Sequence, residues 1–114
     1  WQEWCKCEQP DWLASYKYKY EIEIHEDRIL VLNREGMDWI NKKYKIPLYE
    51  DLDLDYMSTL DWPTIAKVYA GIEIPEYHWD CRLDGNFFWY YGWDCASGCI
   101  WNSSAIKKIT EVKL

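Results

Sequence analysis

The sequence predicts an α+β domain: a small, mostly antiparallel, split sheet with two or three short helices. Three observations predict it. In "YKYEIEI" the apolar Tyr18, Tyr20, Ile22 and Ile24 alternate with Lys19, Glu21 and Glu23, the period-2 pattern of a strand with one wet face. In "LDWPTIAKVYAG" both ends of a short amphipathic helix are marked. Late in the chain, "FFWYYGW" and "GCIWN" are β-rich runs joined by "DCASG".

In chain order, residues 1–16 are rich in Trp, Cys and Pro without a steady period, which predicts a loop and a turn of helix at Asp11 to Tyr16 capped by Asp11. The alternating strand follows, then a polar turn at "EDR" and a short strand Ile29 to Leu32 buried on both sides. Asn33 is a suitable cap, and Met37, Ile40 and Tyr44 share one helical face. The acidic segment "IPLYEDLDLDYM" reads as loop. In the next helix Asp61 accepts bonds from free amides, Pro63 sits where no amide is needed, and Gly71 takes the left-handed stop. "GIEI" is a strand and "PEYHWDCRLDGN" a loop. The two aromatic runs form an antiparallel hairpin with Asp94 at its bend, and "SSAIKKITEV" supplies a final turn and strand.

A chain of 114 residues fits one domain with one core. Nine Trp and ten Tyr supply enough large side chains to fill that core and also line a cavity. A formal charge of −7 opposes a phosphate backbone, so non-specific nucleic-acid binding is disfavoured. No run of about 18 apolar residues and no basic-then-apolar opening exists, which predicts no membrane partner. The odd count of five Cys does not make a paired disulfide framework, and a reducing, cytoplasmic setting is expected. Neither Cys5-x-Cys7 nor Cys95-x₃-Cys99 has the usual zinc spacing, so no metal is assigned. There is no Ser-His-Asp arrangement and no Gly-rich phosphate loop.

Three quoted stretches carry a resemblance. "YKYEIEIHEDRILVL", "VYAGIEI" and "SGCIWNSSAIKKI" are similar, in this order, to the paired strands, strand entry and closing signature of the ADP-ribosyltransferase-like fold found in phage and bacterial members. "WYYGWDCASGCIW" also looks like a motif of phage and giant-virus proteins, to which no activity attaches. The resemblance implies an NAD co-substrate in a cleft between two small sheets and transfer of ADP-ribose to a macromolecular acceptor, a protein. Asp94 occupies the place of the acid, Glu in most members, that steadies the cation-like sugar as nicotinamide leaves. Ser97 and Gly98 would let the backbone approach the cofactor, and Tyr90, Tyr91 and Trp93 would stack on nicotinamide. Arg82 and His78, by their place in the loop before the hairpin, would touch phosphate or an acidic partner. The family's first strand carries an Arg or His that grips the dinucleotide. No such strand precedes Trp1, so a single domain over 1–114 that lacks an upstream segment is expected.

Each candidate also has a plainer role. Asp94 suits a turn, Asp commonly capping such bends. Arg82, His78 and His25 suit solvated surface, and Glu73 has the phase of a solvent-facing strand residue. The alternative reading of the whole chain is a non-catalytic aromatic-rich module binding a protein or a carbohydrate.

Overall fold

A computed structural model describes residues 1–49 and 57–113. Two short helices open the chain, α1 (Gln2–Glu8) and α2 (Pro10–Ser15). The first falls where a loop is expected. Its side chains explain it: Trp1, Trp4 and Trp12 gather, with Trp1 and Trp4 stacked at 5.5 Å, and one helical turn brings positions 1 and 4 together. Asp11 lies in the first turn of α2 rather than at its cap, which Gln9 occupies.

Strand β1 (Lys19–Ile24) follows, and after the turn Glu26–Arg28 comes β2 (Ile29–Val31). Its flanks agree only in part with burial on both sides, since Ile29 and Leu30 are buried while Val31 is exposed. Helix α3 (Arg34–Tyr44) starts at Asn33, whose Oδ1 accepts the Gly36 N–H at 2.7 Å, and buries Met37, Ile40 and Tyr44. Strands β3 (Lys45–Pro47) and β4 (Ser58–Leu60) pair antiparallel, so Ile46 and Pro47 belong to a strand and not to the expected loop. The loop expected over 50–56 lies outside the described residues.

Helix α4 (Trp62–Val68) begins at Asp61, whose carboxylate accepts from the Thr64 N–H and hydroxyl. It ends without a left-handed residue: Tyr69 is extended, and no described residue has positive φ. Gly71 instead opens β5 (Gly71–Ile74), where a Cβ would meet the Cys99 carbonyl oxygen at 2.6 Å. Close approach of strands, not turn geometry, requires glycine there.

The aromatic hairpin does not form. Helix α5 (Trp79–Arg82) is followed by a 3₁₀ run, Gly85–Tyr90, which the Asp84 carboxylate caps through the Asn86 N–H. Three-residue spacing then aims Phe87, Tyr90 and Trp93 at the core, where burial outweighs their β-propensity. Strand β6 (Ser97–Ile100) pairs antiparallel with β5 instead. A short turn, Ser103–Ala105, leads to β7 (Ile106–Val112).

These strands make three small sheets: a β1–β7 antiparallel ribbon, a β2–β5–β6 sheet and the β3–β4 pair. Only β2 and β5 run parallel among the described strands, so the α+β, mostly antiparallel, split-sheet expectation holds, but the two or three short helices expected are five among the described residues, α1 to α5. The main core joins Leu32 and α3 to Leu60, Ile65, Ile72, Ile74, Phe87 and Tyr90. A smaller cluster of Ile29, Ala70 and Ala105, flanked by Ile24 and Ile100, ties the ribbon to the sheet.

Candidate functional site

The ribbon and the β2–β5–β6 sheet do not close on one another. Between them lies an open groove of about 820 Å³, within the range of ligand sites. The ribbon contributes Ile22, Ile24 and Ile106, and the sheet contributes Ile72, Glu73 and residues 97–100. Its lining is mostly apolar, and Glu73 is the charged side chain among it. This follows from β1 alternation: the phase that places Lys19, Glu21 and Glu23 on one face turns Ile22 and Ile24 to the other. Trp101 stands at the rim, its Nε1–H donating to the Tyr69 carbonyl at 2.8 Å.

A second hollow, of about 330 Å³, lies against the same strand and is lined by Trp1, Trp4, Gly92, Trp93, Asp94 and Cys95. Residues 97–99 border both spaces. Asp94 is therefore not among the groove's lining residues. Its carboxylate is half exposed and pairs with Arg82, Nη2 to Oδ1 at 3.4 Å. A pair this open stabilises the fold by about 0–1 kcal/mol. Arg82 also lies over the Trp79 ring, 6.0 Å from its centre.

The other expected cofactor residues are dispersed. Tyr90 is fully buried, stacked on Tyr77 and on Trp93, and its hydroxyl oxygen accepts the His78 N–H at 3.1 Å. It has no face left for a ligand. Burial pushes its phenol up to about 12. Trp93 packs against the core while edging the smaller hollow, and its carbonyl accepts from the Tyr77 hydroxyl. Tyr91 is exposed. Ser97 and Gly98 lie in β6 opposite Ile74 and Glu73. A Cβ at Gly98 would meet the Ile72 carbonyl oxygen at 2.6 Å, so this glycine serves strand packing. His78, expected in solvent, is buried with Nε2 3.4 Å from the Leu32 carbonyl oxygen. The short loop between β5 and α5 folds under Tyr90 and carries it inward.

All five Cys are free thiols, with Cys5 and Cys81 buried. Among the described residues no group of three or more His, Cys, Asp or Glu is placed to hold a metal, and no helix is long and apolar enough to cross a membrane. The resemblance implies a cleft between two small sheets, and of the residues assigned to it Ser97 and Gly98 line the groove while Asp94, Tyr90, Tyr91, Trp93 and Arg82 do not; its isoleucine lining went unassigned. The signal was present in Ile22 and Ile24, whose apolar face had no assigned partner, and in Glu73, the one charge in "GIEI". No family model matches the chain, and neither the curated proteins nor the solved structures yield a match.

Proposed function

We propose that this domain is a non-catalytic binding module that takes an extended polypeptide segment, apolar with a basic residue, in the groove between ribbon and sheet. The groove carries this reading: a small domain leaves an isoleucine-lined channel open when it could have closed it with side chains. Exposed apolar surface of this kind marks interaction sites. An extended segment suits the length of a channel bounded by strands on both sides. The charge of Glu73 and the net −7 of the chain favour a basic residue in the occupant.

Selection from a displayed random-peptide library tests it. Peptides that alternate apolar residues and carry Lys or Arg should be enriched, and Ile22→Asp should weaken their binding at least about tenfold, since it desolvates a charge in the channel. Glu73→Gln should weaken the basic peptides alone. Enrichment of nothing, or of peptides indifferent to both substitutions, overturns the reading.

A second reading rests on the position of the groove between two small sheets, which is where the resemblance puts a dinucleotide. In it the groove takes NAD, and Asp94 reaches the reacting sugar from the neighbouring hollow across residues 97–99. NAD should then quench Trp101 saturably, and Asp94→Ala should abolish nicotinamide release while changing stability by no more than about 1 kcal/mol. Turnover unchanged by the substitution, or no response to NAD, removes this reading and leaves the first.

A further inference from the structure

Strand β1 and the two residues before it read "KYKYEIE" over residues 17–23, two lysines then two glutamates, alternating with Tyr18, Tyr20 and Ile22. The ribbon makes little use of this order. Lys19 faces Val112, Glu21 faces Thr110, and only Glu23 faces an opposite charge, Lys108. None of Lys17, Lys19, Glu21 and Glu23 forms an ion pair among the described residues. All of residues 17–23 are exposed, and β7 is the one ladder neighbour of β1 among the described residues. Its other edge is a row of backbone donors and acceptors open to another strand.

We propose that β1 pairs antiparallel with β1 of a second copy, about a two-fold axis through Tyr20. In that register Lys19 lies opposite Glu21 of the second copy and Lys17 opposite Glu23, and the two-fold repeats both pairs. On the other face Tyr20 meets its own symmetry mate and Tyr18 meets Ile22. Lys17 and Tyr18, just ahead of β1, join the ladder.

The charges select this arrangement over its neighbours. Moving the axis to Glu21 sets that residue against itself, moving it to Ile22 sets Glu21 against Glu23, and moving it to Tyr18 sets Lys17 against Lys19. Parallel, in-register pairing would stack like on like throughout. Each alternative carries a like-charge repulsion that the Tyr20 axis lacks. The outer edge of β7 offers no equal, because its ladder steps from Lys108 to Ile106 opposite Glu23 and Ile24, leaving Lys107 as a bulge that interrupts the edge. The product is a four-stranded antiparallel sheet, β7–β1–β1–β7, in place of two separate two-stranded ribbons, a strand number that is marginal by itself.

Sedimentation equilibrium at physiological ionic strength tests the proposal on the full chain. The wild type should show a reversible monomer–dimer equilibrium. Lys19→Glu and Glu21→Lys should each weaken self-association at least about tenfold, since each turns two favourable pairs into two repulsive ones. Both sites face uncharged residues within their own ribbon, so each variant keeps its fold, which far-UV and near-UV circular dichroism verifies. Mixing the two variants should restore a dimer, now a heterodimer, because the two lysines that one chain carries at these positions meet the two glutamates of the other. A wild type that stays monomeric across the concentration range, a dimer indifferent to both substitutions, or a mixture that fails to associate overturns it.

Discussion

The hydroxyl of Tyr90 shows how one atom can decide whether a residue belongs to a surface or to a core. Its oxygen accepts the His78 N–H inside the protein, and both ring neighbours are aromatic. Tyr90→Phe keeps the ring but leaves that buried amide without a partner, a cost of about 1–3 kcal/mol near neutral pH. Alkali should reverse part of the difference. Burial raises Tyr90 from its ordinary value of 10.0 to about 12 in the folded chain, so the unfolded chain loses its proton first. The stability tied to that neutral phenol is complete below pH 10 and drains away as pH rises through 12. At about 1.4 kcal/mol per unit it amounts to up to about 3 kcal/mol. Cys81, pushed up to about 11 from 9.0 chiefly by burial, drains likewise between pH 9 and 11, in both proteins alike. Urea unfolding from pH 8 to 12 should therefore show the wild-type and Tyr90→Phe curves converging above pH 10. Parallel curves would mean that the phenol ionises freely while folded. Nothing in "WYYGW" tells Tyr90 from Tyr91; only the three-residue spacing to Phe87 and Trp93 does, and that signal carries meaning once the segment is known to be 3₁₀.

Elements whose ends are fixed by local chemistry were legible, and those fixed by distant packing were not. Asn33 and Asp61 cap α3 and α4 as their side chains and spacing imply, and β1 forms where its alternation places a strand, although residues on both of its faces are exposed rather than on one. By contrast, aromatic residues over 87–93 have strand propensity, yet the core that holds Ile65 and Ile72 takes Phe87 and Tyr90 from a kinked 3₁₀ run and Trp93 from the turn after it. No local pattern reports that packing. The partner of β6 was misjudged for the same reason, since β5 lies more than twenty residues upstream and its claim rests on Gly71 and Gly98 allowing close approach. For the candidate site, residue types were legible and their grouping was not: Asp94, Ser97 and Gly98 are neighbours in sequence, but β6 divides the first from the groove that the other two border. The caps provide the element-scale prediction. Asn33→Ala should lower stability by about 1 kcal/mol, measured by urea denaturation, with Asn33→Asp close to wild type. An Ala variant as stable as the wild type would show that the Gly36 amide is satisfied by solvent at no cost.

The whole molecule is longer than its chain length requires, 49 × 32 × 24 Å with a radius of gyration of 16.0 Å, against about 13 Å for a compact domain of this size. The main core accounts for the compact part, and the ribbon adds length because it is held by the small cluster of Ile29, Ala70 and Ala105 with Ile24 and Ile100. That division implies unequal stability. Strand β5 has a partner on both sides and buries Ile72 and Ile74, whereas β1 and β7 pair with each other and expose most of their residues. Pairing β1 with β7 also joins opposite ends of the chain, so its closure entropy is recovered only after the rest has folded. Native-state hydrogen exchange in dilute solution should therefore find the bonded amides of β1 and β7 exchanging at least about a hundredfold faster than those of β5 and α3. Uniform protection would make ribbon and core one cooperative unit. Raising the protein concentration should then slow exchange in β1 before β7, because the strand that joins a second copy gains a new set of bonds while its partner keeps a free edge.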